Sequence, residues 1–162
     1  MKDFFKSLLS KAHSKRKENK TFLQRLAKHP PRNLDKMFAK ESSDFFDKHS
    51  CLDCGNCCKT TSPIFRDVDI ERIAGHLKVK PGDLVSRYLH IDNDGHYVLN
   101  SSPCVFLGED NYCSIYNVRP QACRDYPHTE RKNIYQVMDL AYHNTLVCPA
   151  VSGIVEKLKR IE

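Results

Sequence analysis

Tryptophan is absent from this 162-residue chain, and glycine is scarce, with six residues. No G-x-G-x-x-G or G-x-x-x-x-G-K pattern occurs, which excludes the glycine-rich loops that cradle phosphates in nucleotide-binding enzymes. No apolar run approaches the roughly 20 residues of a membrane-spanning helix. The apolar stretch at the amino terminus is broken by Lys6 and Lys11, so it lacks the continuous hydrophobic segment of a secretory signal. A cytoplasmic chain is therefore expected, in a reducing compartment where structural disulfides are rare. Ser42 and Ser43 stand near His49 without an oriented base or an oxyanion site, so no catalytic constellation is visible.

Cysteine, by contrast, is abundant and clustered. Four of the eight cysteines fall within eight residues, as Cys51-x-x-Cys54-Gly-Asn-Cys57-Cys58, and Cys104, Cys113, Cys123 and Cys148 follow singly. Thiols two residues apart on a tight turn converge on one point, which suits a metal ion or an iron–sulfur cluster. An even count also permits a disulfide framework, but the expected compartment argues against it. All eight cysteines are thus candidate ligands. Gly55, just after the second thiol, allows a turn whose amide N–H groups point at sulfur. Cys57 and Cys58 are adjacent, and neighbouring side chains usually diverge, so one of them is expected to serve a second site or to remain a redox-active thiol.

Charge divides the chain unevenly. The net charge is +6, and residues 1–50 hold 13 Lys/Arg against 6 Asp/Glu, whereas the remainder holds 13 against 14. Phe4, Phe5, Leu8, Leu9 and Ala12 recur at helical spacing, as do Phe22, Leu23, Leu26 and Ala27. Between these sets, residues 11–20 are polar enough to be solvated. Pro30 ends this helical region, and Asn33 is placed to cap a further helix carrying Leu34, Met37, Phe38, Phe45 and Phe46. The basic segment reads as amphipathic helices with a solvated face; an arm for nucleic acid, an acidic membrane surface or a protein partner is the alternative.

Beyond the cluster, Asp67 is placed to cap a helix whose face carries Ile70, Ile73, Ala74 and Leu77, and Pro81 opens another. Turn residues inside 90–99 predict a hairpin. A second hairpin is expected over 104–116, its turn at Gly108–Asn111 bringing Cys104 and Cys113 together. Pro120 starts a helical turn carrying Cys123, and 150–161 reads as helix. The fold class expected is α+β, mainly helical: a small metal-centred cysteine domain over 51–162 with short hairpins, preceded by a basic helical extension over 1–50.

Taken together, Cys51-x2-Cys54-x2-Cys57-Cys58, Cys104-Val-Phe-Leu, Cys113-Ser-Ile-Tyr, Val118-Arg-Pro-x-x-Cys123-Arg-x-Tyr-Pro127 and the late Cys148-Pro149 resemble the CxxCxxCC cysteine-cluster family. The resemblance covers residues 51 to about 150. It implies a zinc- or iron-chelating cytoplasmic bacterial protein, sometimes described as an iron–sulfur oxidoreductase, without a defined reaction. A similar domain occurs in flagellin lysine methylases, but nothing in this chain supplies the rest of such an enzyme.

An all-cysteine set suits both zinc and iron. Three thiols at two-residue intervals with a late Cys-Pro lean towards a [4Fe–4S] cluster serving electron transfer or redox sensing. The Cys104/Cys113 pair leans towards zinc and a structural interaction module. Arg119 and Arg124 flank Cys123 and can offset thiolate charge or donate hydrogen bonds to sulfur. Phe106, Tyr116 and Tyr126 are expected to pack around the site. His49, His128, His143 and Asp53 are read as packing or surface residues, since eight thiols leave no shortage of ligands.

Overall fold

A computed structural model describes residues 1–161 of the chain. In chain order the helices are α1 (Asp3–Ser14), α2 (Arg16–Lys28), α3 (Leu34–Phe46), α4 (Asn56–Thr60), α5 (Asp67–Leu77), α6 (Pro81–Tyr88), α7 (Gln121–Asp125), α8 (Met138–Thr145) and α9 (Pro149–Ile161). The strands β1 (Leu89–Ile91) and β2 (Tyr97–Leu99) lie between α6 and α7 and pair antiparallel, Leu89 opposite Leu99. The protein is therefore mainly helical α+β, and no described helix is long and apolar enough to cross a membrane.

The chain forms two compact units. One comprises Met1–Cys54 with Pro127–Glu162, and the other Gly55–Tyr126. In the first, the apolar faces expected of the leader are buried against the carboxy-terminal helices. Phe22, Leu23 and Leu26 of α2 and Leu34 and Phe38 of α3 share a core with Met138 of α8 and Val151, Ile154, Val155 and Leu158 of α9. Full burial of each such side chain contributes about 1.5–3 kcal/mol. Charge reinforces this packing. Glu156 of α9 meets Lys11 of α1 at 2.7 Å and Lys159 at 2.6 Å, and Lys159 also reaches Glu18 of α2 at 2.6 Å. Burial pushes the Glu156 carboxyl up, but hydrogen bonds from Lys11 and Lys159 outweigh it and hold the group down at about 2. The polar stretch 11–20 is largely solvated, with Ala12 and Asn19 buried, and it is helical throughout save near Lys15, where α1 and α2 nearly abut.

In the second unit, α5 and α6 pack their apolar faces with the hairpin. Ile70, Ile73, Ala74, Leu84, Leu89, Leu99, Phe106 and Ile115 form one core. Pro81 occupies the first turn of α6, where its missing N–H costs nothing. At the hairpin turn the Asp92 carboxylate accepts from the N–H groups of Asp94 and His96, each at 2.9 Å, and Gly95 takes φ +82°.

Two caps differ from expectation. The residue preceding α5 is Arg66 rather than Asp67, and Arg66 N–H donates to the Asp69 carboxylate at 3.1 Å. Asn33 precedes α3 but its side chain makes no capping bond. Asp35 instead accepts from the backbone N–H groups of Asn133 and Ile134, at 2.8 and 3.0 Å, fastening the loop before α8.

Candidate metal centre

The boundary between the units divides the cysteine run. Cys51, Cys54 and Cys148 belong to the first, and Cys57, Cys58, Cys104, Cys113 and Cys123 to the second. None of the eight forms a disulfide.

In the second unit, Gly55 sets the approach to the thiols. It takes φ +58°, and a Cβ there would stand 2.8 Å from the Asn111 Oδ1, so both backbone conformation and space require glycine. Cys57 and Cys58 follow on α4. Against the expectation of divergence, their sulfurs lie 3.9 Å apart. The hydrogen bond shared with Cys57, with Lys59 nearby, brings the Cys58 thiol down to about 7 despite burial. The next thiol is tied to this helix through backbone, as Cys104 N–H donates to the Cys58 carbonyl at 2.8 Å.

The expected second hairpin is reduced to one bridge, Leu107 with Cys113. The physical reason lies in the sulfurs. The N–H of Phe106 points at the Cys104 sulfur and that of Ile115 at the Cys113 sulfur, while Leu107 N–H donates to the Cys104 carbonyl at 3.0 Å, so these amides serve the thiol turns rather than a ladder. Cys123 sits on α7. Burial pushes its thiol up to about 12, and negative charge on Cys58, Cys104 and Cys113 adds to the rise. Cys104 and Cys113 are likewise raised by burial and by charge on Cys58. Cys58, Cys104, Cys113 and Cys123 are thus one mutually interacting set, while Cys57 touches it through Cys58.

Arg119 stands beside this set. Its positive charge favours the thiolates of Cys113 and Cys123. The guanidinium lies 3.9 Å over the Tyr116 ring and donates to the Tyr116 carbonyl at 2.7 Å. Arg124 instead fastens backbone, donating to the carbonyls of Asn117 and Arg119. Phe106 is buried against Tyr88, whereas Tyr116 is exposed.

One supporting pair escaped the sequence reading. Asp69 is 0% exposed and takes N–H bonds from Arg66 and from Gln121, the latter at 3.2 Å, and an ion pair with Arg72 at 2.6 Å. Arg72 donates onward to the carbonyls of Val118 and Arg119. The pair pins the segment 118–121, which delivers Arg119 and Cys123. Burial alone would raise the Asp69 carboxyl, but Arg72 and the two amides hold it below the usual carboxylate range. An Asp-x-x-Arg spacing on a helix was the available signal, yet its long-range partners lie some fifty residues away.

In the first unit, Cys51 opens a single 3-10 turn and Cys54 closes it, with Cys54 N–H donating to the Cys51 carbonyl at 3.0 Å. Cys148 immediately precedes α9. Pro149 occupies the first helical position, and the free N–H groups of Ala150 and Val151 point at the Cys148 sulfur. Burial nevertheless raises this thiol to about 11, with charge on Cys51 and Cys54 contributing. Cys54 and Cys148 pack in one apolar cluster with Phe5, Phe45 and Ala150. Met1 places its sulfur 3.8 Å from that of Cys54. His49 is enclosed by the rings of Phe4, Phe5 and Phe45, and Asp53 pairs with Lys2 at 2.9 Å, so both are occupied in packing and charge pairing. His143 packs on Tyr142, and His128 occupies a turn at φ +68°.

Among the described residues, Asp92, Asp94 and His96 form the set of His, Cys, Asp or Glu side chains whose ligand atoms lie within 4.8 Å of one another. Among the described residues no three cysteine sulfurs are that close. A tetrahedral zinc site with bonds of about 2.3 Å holds its sulfurs about 3.8 Å apart. The thiols therefore stand at a wider spacing than a closed single-ion site. Their chemistry fits a thiophilic metal group: the donors are soft, amides face three of the sulfurs, and a cation relieves the cost of burying thiolates.

Comparison with known proteins agrees with this chemistry. Residues 50–143 match the model of the CxxCxxCC family, described as "Putative zinc- or iron-chelating domain". An uncharacterized protein of Methanocaldococcus jannaschii, MJ0661, is 33% identical over 84 residues, which cover 50% of this chain and 45% of that relative. The chain thus spans about half the length of the curated relative it matches. No solved structure matches significantly.

Proposed function

The chain belongs to the CxxCxxCC family of zinc- or iron-chelating domains, and on that premise we propose that Cys58, Cys104, Cys113 and Cys123 hold an iron–sulfur cluster for electron transfer or redox sensing. The single observation carrying this reading is that four thiols share one unit, with Cys104 tied through backbone to Cys58 at 2.8 Å, while among the described residues no three sulfurs approach within 4.8 Å. Such a spacing leaves room for a cluster rather than one ion. When bound, an iron–sulfur cluster supplies reversible one-electron transfer.

The protein residues set the conditions for that chemistry. Partial burial of Cys104 and Cys123 limits water at the sulfurs, and the amides of Phe106 and Ile115 favour the thiolate state. Arg119 offsets negative charge on Cys113 and Cys123, and Arg124 holds the backbone that presents it. Asp69 and Arg72 keep α7 in place. An electron-exchanging protein partner in a reducing compartment follows from this reading.

A zinc-stabilised interaction module is the second reading. The paired turns at Cys104 and Cys113, each with amides facing sulfur, favour it. Metal and acid-labile sulfide content of protein purified without oxygen separates the two. Iron with matching sulfide and a brown, reduction-sensitive spectrum is the expected result. Stoichiometric zinc in a colourless sample would replace the redox reading with the structural one.

A further inference from the structure

The helical unit holds 18 Lys/Arg against 11 Asp/Glu, whereas the other unit holds 8 against 9. Part of that excess is neutralised in place: Lys11 and Lys159 meet Glu156, Lys157 meets Glu41, and Lys40 meets Asp44. Among the described residues, five cations without an ion pair gather elsewhere. We infer that Lys28, Arg32, Lys36, Arg131 and Lys132 form a binding surface for single-stranded nucleic acid, held by its phosphates beside the exposed ring of Tyr135. This surface needs no metal, so its failure would leave the proposed cluster untouched.

Two distant segments build the surface. Lys28 ends α2, Arg32 follows in the loop, and Lys36 lies in the first turn of α3. Arg131 and Lys132 come from the loop before α8. One side chain fastens that loop to α3: Asp35 accepts from the N–H groups of Asn133 and Ile134, at 2.8 and 3.0 Å. The 3-10 turn Ile134–Val137 then packs on both α2 and α3, with Ile134 buried in their shared core. All five cations are exposed. The acids beside them are largely engaged. Asp35 uses both carboxylate oxygens on backbone, and the Glu130 carboxylate accepts from the Ser42 hydroxyl at 3.4 Å, which leaves Asp139 at the start of α8. The amino end of α3, without a side-chain cap, adds partial positive charge. Like charges gathered in this way repel one another, and a polyanion relieves the repulsion.

The chemistry favours a nucleic acid over an anionic membrane. The apolar faces of α2 and α3 are buried in the core, so they are not offered to acyl chains as an interfacial helix offers its own. Tyr135 is 37% exposed beside Gln136, and an exposed ring suits a stacked base. Arg32 and Arg131 supply the planar fork that matches phosphate.

The test is fluorescence anisotropy of the whole protein, purified without oxygen, with a labelled oligouridylate of about 20 nucleotides. Binding that weakens between about 50 and 200 mM salt, with a log–log slope of about −3.5, is expected for about five phosphate contacts. Arg32→Gln/Lys36→Gln and Arg131→Gln/Lys132→Gln should each weaken binding about tenfold and reduce the slope by about 1.4. Lys6→Gln/Lys40→Gln removes the same charge from exposed, paired positions and should leave affinity nearly unchanged. Tyr135→Ala should weaken the single strand about tenfold and spare a duplex of equal length. Equal loss in the Lys6→Gln/Lys40→Gln variant would reduce the effect to net charge and overturn the surface. No binding at the lowest salt, a salt-independent signal, or binding only to phosphatidylserine vesicles overturns it as well. Equal affinity of the wild type for single strand and duplex overturns the single-strand assignment. The salt dependence of the wild type keeps the test decisive even if a variant fails to fold.

Discussion

The two units hold thiols by different physical means. In residues 55–126 the sulfurs sit on short elements, a five-residue helix, single turns and one β-bridge, whose own backbone amides face them. In the helical unit the three sulfurs rest on a framework that buries α2, α3, α8 and α9 side chains in a core of its own. Both units have an apolar core, but the segments that carry the thiols of 55–126 have little regular structure, so a bound metal is expected to shape them more than it shapes the helical framework.

The largest effect that could break this contrast is metal removal. A strong chelator is expected to abolish amide hydrogen-exchange protection across 100–125 while α2, α3 and α9 stay protected, since structural metal sites contribute on the order of 10 kcal/mol to small domains. Equal loss in both units would erase the distinction. Next comes Asp69→Asn, which removes the charge of the buried carboxylate and leaves the half-buried Arg72 beside a neutral partner. A loss of about 3 kcal/mol is expected in denaturant melts, together with weaker metal retention at Cys123.

Acid should act first on the helical unit's charge network. The folded Glu156 carboxyl is held at about 2 against an ordinary 4.5. Its contribution, about 3 kcal/mol, is therefore complete above pH 4.5 and is lost as the pH falls towards 2. Glu156→Gln should flatten the acid limb of stability measured by thermal melts, and an unchanged limb would remove Glu156 from the account. Smallest is Gly55→Ala, which forces a side chain into left-handed backbone against Asn111. A cost of about 1–2 kcal/mol is expected in the same melts, with no change in the acid limb.

The elements that local chemistry dictates were legible in advance. The turn residues of 92–95 announced the hairpin that pairs Leu89 with Leu99, and Pro81 announced α6. The mainly helical class and the cysteine-cluster family were legible as well. What periodicity cannot carry is pairing across long separations. The Ser152 hydroxyl donates to the Leu8 carbonyl, and Lys11 meets Glu156, across about 145 residues of chain. Neither bond leaves a pattern in either segment alone. The candidate site behaved similarly. The cysteine run pointed to metal, but its spacing did not announce that Cys54 packs with Cys148 while Cys58 joins Cys104, Cys113 and Cys123. That division is set by where Gly55 turns the chain and by which amides face each sulfur.

The central claim is that Cys58, Cys104, Cys113 and Cys123 hold one metal group of their own. Its most direct test is the iron, zinc and sulfide content of Cys104→Ser protein beside the wild type, both purified without oxygen. The account predicts loss of one metal complement, with its sulfide, from the variant. An unchanged metal and sulfide content would contradict it.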